Sequence, residues 1–337
     1  MDLEQAMRRA VDLSRAALGT TSPNPPVGAV ILDGRGDLVG EGATQPPGGA
    51  HAEVVALRQA DGRGRTAVVT LEPCHHTGRT GPCSEALIAA GITRVVVACP
   101  EPTTSAGGGA RALRDAGVEV TSGFLEPEVA DGPLAAWLHR QRTGLPLVTW
   151  KYAATLDGRS AAADGTSRWI TGEQARADVH LLRSQVDAVI VGVGTVLADD
   201  PELTTRPDPG WQPLRVVVDR QGRTPADAKV RNAGAPTWIS SDDLPTLLQE
   251  LADREIVSVL LEGGPTLAGA FLRAGLVDRV VGYVAPALLG AGTCALQDAG
   301  VGTIDDVIRL DLIDVTRLGG DVRLILRRAS PVSPRRR

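Results

Sequence analysis

A chain of 337 residues is long enough for about two domains, each with its own core. Its 43% apolar and 22% charged content is that of an ordinary globular protein, and a net charge of −5 argues against a broad nucleic-acid-binding surface while leaving room for a local basic pocket. No apolar run approaches the roughly 20 residues that span a bilayer, and Met1-Asp2-Leu3-Glu4 does not open a signal peptide, so a cytoplasmic location with no membrane partner is expected. Four cysteines in a chain of this size do not make a disulfide framework. In a reducing compartment their thiolates are free for metal, and Cys99 and Cys294 read as plain buried residues.

Residues 3–18 read as an amphipathic helix with Ala6, Ala10, Leu13 and Ala17 on one stripe, ended by Ser22-Pro23-Asn24-Pro25-Pro26. A strand over 27–32, a turn at Asp33-Gly34-Arg35-Gly36 and a return strand over 38–41 make a hairpin. After a Pro/Gly-rich loop a helix spans 51–59, which puts His51 and Glu53 in its first turn. Strand 68–71, helix 83–90 stopped by Gly91, strand 94–98, helix 107–116 and strand 118–121 follow. This alternation predicts an α/β/α sandwich. A linking helix over 127–143, with Trp137 expected to pack between domains, closes a first domain of residues 1–144.

One histidine, two cysteines and a carboxylate stand out in this half: His51-Ala52-Glu53, Pro73-Cys74 and Cys83. Three protein ligands with the fourth position left to water are what a hydrolytic zinc site needs. The metal brings the pKa of water from about 16 down to about 7. A glutamate that does not bind metal then carries the proton to a leaving amine. The residues match the H-x-E and the opening P-C of the H-x-E…P-C-x-x-C pattern of zinc deaminases, but eight residues, not two, separate Cys74 from Cys83. Gly78, Gly81 and Pro82 can turn that insertion back toward the metal, and His76 and Arg79 within it are candidate substrate contacts. Cys74 and Cys83 fall at a strand end and a helix start, where N–H groups favour thiolate. The competing interpretation is a scattered pair of core cysteines and a surface H-x-E.

The second half, residues 145–329, starts again with strand 147–153, helix 173–184 and strands 188–191 and 214–219. Strand 237–240, helix 244–252, strand 257–261, helix 266–274 and strands 279–284, 311–317 and 322–326 follow, so a mixed sheet is expected. Residues 330–337 make a basic tail expected to be disordered. Two glycine-rich joints follow strands, Gly192-Val193-Gly194-Thr195 and Glu262-Gly263-Gly264-Pro265-Thr266. Each is either a tight turn or a place where phosphates approach the backbone, and neither is the G-x-G-x-x-G fingerprint. Asp199-Asp200-Pro201 is either an Asx turn or a carboxylate that orients a ribose or pairs with Lys151. Lys151 and Lys229 are the only lysines in an arginine-rich chain, and Arg183 and Arg206 are candidate phosphate forks.

Taken together, these stretches resemble the bifunctional riboflavin-biosynthesis deaminase–reductase family over nearly the full length. The resemblance is carried by Pro23-Asn24-Pro25-Pro26-Val27-Gly28, His51-Ala52-Glu53-Val54, Thr70-Leu71-Glu72-Pro73-Cys74, Gly78-Arg79-Thr80 and Pro82-Cys83. In the second half it is carried by Lys151-Tyr152-Ala153, Leu156-Asp157-Gly158-Arg159, Ser167-Arg168-Trp169-Ile170-Thr171, the run from Gly194 to Pro201 and Glu262-Gly263-Gly264-Pro265-Thr266-Leu267. The resemblance implies an α/β chain with a cytidine-deaminase-like α/β/α sandwich followed by a dihydrofolate-reductase-like mixed-sheet domain. It implies zinc-dependent deamination of 2,5-diamino-6-(5-phosphoribosylamino)pyrimidin-4(3H)-one, then NADPH-dependent reduction of the ribosyl group to ribityl, by a homo-oligomer. Zinc would be held by His51, Cys74 and Cys83, with Glu53 as proton shuttle and Asn24, His76 and Arg79 as substrate contacts. NADPH would meet Ala153, Trp169, Thr195, Asp199 and the turn Gly264, Pro265, Thr266, Leu267, Ala268, Gly269 and Ala270. Ser167, Arg183, Leu203, Arg206 and Glu262 would contact substrate, and Lys151 with Asp199 would stabilise charge at the ribose.

The chain departs from the family pattern at Thr44, where a histidine is usual, at His75, in the loop 100–104, and at Arg220, where a serine contacts NADPH. Two rival interpretations remain at this level. A nucleoside or tRNA deaminase fused to a reductase would need a basic groove with stacking aromatics, and the nine aromatics here, mostly tryptophans, lie far from His51 in sequence. A zinc-stapled docking module would have no need of Glu53.

Overall fold

The computed structural model describes residues 1–60, 64–76, 81–207 and 210–329, so Arg79 and the basic tail lie outside the described residues. The chain forms two compact units, Met1–Gly144 and Leu145–Arg337.

In the first unit, helix α1 (Leu3–Ala16) begins with a capping box: Asp2 Oδ1 accepts Gln5 N at 2.8 Å and Gln5 Oε1 accepts Asp2 N at 3.1 Å. It lies close on strand β1 (Gly28–Leu32), where a Cβ on Gly28 would meet Ala10 O at 1.9 Å, an approach open only to glycine. β2 (Leu38–Ala43) and β3 (Thr66–Leu71) flank β1 antiparallel, and β4 (Arg94–Cys99) and β5 (Glu119–Ser122) continue parallel, in the order β2-β1-β3-β4-β5. β1, β3 and β4 are buried at successive residues, so both faces of the sheet are covered, as a sandwich requires. Helices α2 (Ala52–Leu57), α3 (Cys83–Ala89) and α4 (Gly109–Asp115) connect the strands. The helix expected over 127–143 is two, α5 (Glu126–Ala130) and α6 (Ala135–Thr143). Pro133 between them lacks the N–H that would continue a helix. Trp137 on α6 is buried.

The second unit carries an eight-stranded mixed sheet in the order β12-β13-β11-β6-β10-β7-β8-β9. Its strands are β6 (Leu147–Thr155), β7 (Ala188–Gly192), β8 (Leu214–Val218), β9 (Thr237–Ser240), β10 (Ser258–Leu261), β11 (Arg279–Ala285), β12 (Leu310–Leu318) and β13 (Asp321–Arg328). The six from β11 to β9 run parallel, and β13 and β12 add an antiparallel edge. Helix α7 (Glu173–Ser184) has the expected bounds; α8 (Val193–Asp199) occupies the first glycine joint, read from sequence as a joint only. α9 (Leu244–Asp253) and α10 (Pro265–Arg273) bury Leu247, Leu248, Leu251, Ala268 and Phe271 with Ile190 and Val259, each large side chain contributing about 1.5–3 kcal/mol. Cys99 is buried as expected, but Cys294 is exposed and accepts Arg159 Nη1 at 2.8 Å, so it is not a core residue.

Candidate active sites

The first site is assembled at the ends of three elements. His51 is the N-cap of α2, in extended backbone, and not in its first turn as expected; the turn itself carries Glu53. Cys74 follows the end of β3, and Cys83 opens α3, its N–H pointing at Cys74 Sγ at 3.5 Å. His51 Nδ1 stands 3.2 Å from Cys83 Sγ and 3.6 Å from Cys74 Sγ, and the three donor atoms lie within 4.8 Å of one another. Tetrahedral zinc with its usual bond lengths needs N···S separations of about 3.6 Å, so the donor set fits the ion with a shift of a few tenths of an ångström at most on the His51–Cys83 side, roughly. Ser84 braces the set, its N and Oγ donating to Cys74 O at 3.2 and 3.1 Å, while its Oγ pairs with His75 Nδ1 at 2.8 Å. His75 therefore ties the Cys74 turn to α3.

The electrostatics favour a thiolate. A hydrogen bond from the Cys83 thiol, with help from His51, pulls Cys74 down to about 4 against the cost of burial; the same bond pushes Cys83 up. The contact with Cys74 raises His51. Glu53 is 4% exposed, and burial raises its carboxyl above the usual range, so it can hold a proton that an exposed glutamate would release. Thr44 is buried with its Oγ1 accepting Val27 N at 3.0 Å. Asn24 and His76 are exposed, and among the described residues no hydrogen bond joins either side chain to the three donors.

The second site is a cleft of about 1410 Å³ over the C-terminal ends of the parallel strands. Lys151, Ala153, Ser167, Trp169, Arg183, Thr195, Asp199, Leu203, Arg206, Glu262, Gly264, Pro265, Thr266, Leu267 and Ala270 all line it. Ala268 and Gly269 do not: Ala268 is in the core, and a Cβ on Gly269 would meet Gln297 O at 1.7 Å. Two further expectations are corrected. Lys151 pairs with Glu262, Nζ to Oε2 at 3.5 Å, while Asp199 faces Arg168, whose Nη2 donates to Asp199 O at 2.8 Å. Arg183 is not a free phosphate fork, because its Nε and Nη2 donate to Glu262 at 2.5 and 3.0 Å and its Nη1 to Thr204 O at 3.2 Å. Burial alone would raise the Glu262 carboxyl, but Arg183 and Lys151 override it and hold it at about 2. Arg206 pairs with Glu202.

Sequence reasoning missed four contributors. Tyr283 is fully buried in the cleft wall, its hydroxyl donating to Asp178 at 2.6 Å, and Arg323 closes on the same carboxylate at 3.0 Å. His180 lines the cleft one turn before Arg183. Arg215 is fully buried on β8 and donates to Glu202 O, Asn232 Oδ1 and Asn232 O at 3.1, 2.9 and 2.6 Å. With Arg183 it holds the 202–204 segment, where Leu203 adopts the left-handed φ of 56° that L-residues rarely take. Only the apolar neighbours of Arg215 and Tyr283 in sequence hint that they lie on buried strands.

Residues 1–99 match the family model described as the cytidine and deoxycytidylate deaminase zinc-binding region, and residues 146–324 match the RibD C-terminal domain. The riboflavin biosynthesis protein RibD of Mycobacterium tuberculosis is 53% identical over 331 residues, covering 96% of this chain and 97% of that protein. RibD of Escherichia coli is 42% identical over 373 residues, covering 97% and 99%. The solved structure of Acinetobacter baumannii RibD superposes with a TM-score of 0.86 at 41% identity, covering 98% of this chain and 100% of that one. A Thermotoga maritima diaminohydroxyphosphoribosylaminopyrimidine deaminase/5-amino-6-(5-phosphoribosylamino)uracil reductase gives 0.89 at 34%, covering 97% and 99%. Fold and site together define a zinc-binding deaminase joined to a reductase. The chain belongs to the RibD family of riboflavin biosynthesis proteins, and it is an enzyme of two activities.

Proposed function

We propose that the first unit hydrolyses the ring amine of 2,5-diamino-6-(5-phosphoribosylamino)pyrimidin-4(3H)-one. We propose further that the second unit reduces the ribosyl group of the deaminated product to ribityl with NADPH. The observation that carries the first half is the convergence of His51, Cys74 and Cys83 within 4.8 Å beside a buried glutamate. Zinc, when held by these three, supplies the Lewis acidity that makes hydroxide available near neutral pH. Glu53 takes the proton given up by water and delivers it to the departing amine, so that ammonia leaves and a carbonyl remains. Its raised pKa suits that task, because the proton is held between the two transfers.

In the second unit the bound dinucleotide supplies a hydride. Glycines at the ends of β7 and β10 leave the backbone open to its phosphates, and Trp169, Thr195 and Asp199 line the same cleft. Lys151, oriented by Glu262, stabilises charge that develops at the ribosyl oxygen as the ring opens. Arg183 contributes by fixing Glu262, whose position beside the cleft suits acceptance of hydrogen bonds from the pyrimidine. Ser167, Leu203 and Arg206 complete the substrate wall, Arg206 facing the phosphate. The exposed apolar side chains Leu312, Ile313, Val315 and Val322 on the edge hairpin support a homo-oligomer. No helix among the described residues is long and apolar enough to cross a membrane.

Incubation of the purified chain with the diaminopyrimidine ribotide tests both halves. Without NADPH the deaminated ribosyl compound accumulates with release of ammonia; with NADPH the ribityl product forms. Absence of ammonia release refutes the first half, and NADPH left unconsumed by the deaminated compound refutes the second.

A further inference from the structure

Strand register sets one row of side chains across the edge of the second sheet. Thr316 on β12 is paired with Arg323 on β13, Arg323 with Tyr283 on β11, and Tyr283 with Ala153 on β6. Residues opposite one another share a face. Tyr283 and Arg323 both reach a single carboxylate, that of Asp178 on α7. The Tyr283 hydroxyl donates to Asp178 Oδ2 at 2.6 Å, and Arg323 Nη1 donates to Oδ1 and Oδ2 at 3.0 and 3.1 Å. Arg323 Nη2 donates further to Thr316 Oγ1 and Asp314 Oδ2 at 3.2 and 3.4 Å. The Asp178 and Arg323 side chains are mostly buried, and Tyr283 is closed to solvent. Burial, and then the bond to Asp178, push the Tyr283 hydroxyl well above its ordinary range, so it remains a donor. The start of the same helix is fastened from the same strand: Asp321, buried at the head of β13, accepts the N–H of Gly172, the N-cap of α7, at 2.7 Å.

The far end of α7 enters the cleft. Arg183 lies about 7.5 Å beyond Asp178 along the helix axis, at 1.5 Å per residue. It holds Glu262, which in turn pairs with Lys151. The buried apolar residues of α7 are Ala175 and Val179, packed with Val281 and Tyr283 and with Leu182 partly buried beside them. A contact this shallow resists sliding along the helix axis only weakly. Directed bonds between charged groups fix the axial position instead. The stakes are set by the chemistry, because a misplacement of about 1 Å at a reacting group costs on the order of 10² in rate.

We propose that Asp178, clamped by Tyr283 and Arg323, is a positioning residue for the reduction: it sets the axial place of α7 and, through Arg183 and Glu262, the place of Lys151. The proposal rests on the reading of Lys151 as the group that stabilises charge at the ribosyl oxygen, and adds what holds that group in register. Asp178 itself passes neither hydride nor proton to the substrate.

Steady-state reduction of the deaminated ribosyl compound by NADPH tests this on the full chain, in the wild type, Asp178→Asn, Tyr283→Phe, Arg183→Lys and the pair Asp178→Asn with Arg183→Lys. Asp178→Asn is expected to lower kcat by about tenfold or more while both KM values change by less than about twofold, because the cleft keeps its lining residues and only Lys151 is displaced. Tyr283→Phe removes one hydroxyl and is expected to lower kcat by a smaller factor, again with KM held. On the Arg183→Lys background the Asp178 substitution is expected to cost little more, since both act through Glu262. Unchanged kcat in Asp178→Asn, a rise in KM in its place, or losses that multiply in the double variant overturn the proposal. If Asp178→Asn lacks wild-type thermal stability, Tyr283→Phe decides, and an unchanged kcat at wild-type Tm overturns it. Lys151→Met separates the two levels: inactivity there with Asp178→Asn at the wild-type rate removes the clamp alone, whereas continued reduction by Lys151→Met removes the reading of Lys151 beneath it.

Discussion

Glu262→Gln perturbs a nearly closed three-charge cluster of the second unit. The carboxylate has 7% side-chain exposure and lies between Arg183 and Lys151, themselves 15% and 17% exposed. At an effective dielectric of about 20, unit charges at the 3.5 Å Lys151–Glu262 separation interact by about 5 kcal/mol, and the Arg183 contact is shorter. Desolvation of all three groups offsets much of that gross figure. What the substitution adds is two cations left together in a nearly closed site, and removing one partner from such a cluster costs about 3–5 kcal/mol. For a unit of this size each kcal/mol lowers Tm by about 2–4 °C, so a loss of at least 6 °C is expected at neutral pH, roughly. The pH dependence carries the sign. The folded-state pKa is depressed to about 2 from an ordinary 4.5, so the stabilisation is fully present above about pH 4.5 and is lost as pH falls toward 2. Calorimetric scans of wild type and variant should therefore converge as the buffer is taken from pH 6 toward pH 3, roughly. A Tm loss under about 1 °C at neutral pH, or a gap that widens in acid, refutes this account of the cluster.

Other substitutions follow the same logic. Glu53→Gln should keep zinc, by metal analysis, while ammonia release falls by about 10²–10⁴, the usual worth of a proton shuttle; zinc loss with activity unchanged would refute the assignment. Chelation of the wild type should abolish ammonia release yet leave reduction of pre-deaminated substrate intact, followed by NADPH absorbance. Gly28→Ala should destabilise the first unit by about 1–3 kcal/mol in a denaturant titration, because its methyl would enter the space of Ala10 O.

Much of the first site was legible because its chemistry needs residue types that are rare elsewhere. Histidine and cysteine are scarce in this chain, and His51, Glu53, Cys74 and Cys83 stand at ends of elements that hydrophobic patterning finds. Helix α7 was legible for the same reason, its Ala175 and Val179 repeating at helical spacing. α8 was not, because Gly194 and the β-branched Val193, Thr195 and Val196 argue locally against a helix that the packing of Val193 and Val196 in the core nevertheless supports. The break between α5 and α6 was readable at Pro133. Side-chain partnerships were the least legible. Lys151 and Glu262 are 111 residues apart, and only the parallel register of β6 and β10 brings them together, whereas pairing with Asp199 was one of the alternatives the sequence left open. Arg215 and Tyr283 carry polar tips on buried strands, where local pattern counts only the burial.

The central claim is that two chemistries occupy two separate residue sets on one chain. Product analysis of Glu53→Gln and Lys151→Met, each alone and then mixed, tests it most directly. The account predicts that the first variant leaves the diaminopyrimidine ribotide intact and that the second releases ammonia but stops at the ribosyl compound. The mixture with NADPH then yields the ribityl product. Ribityl product from Glu53→Gln alone, or no ammonia from Lys151→Met, would contradict it.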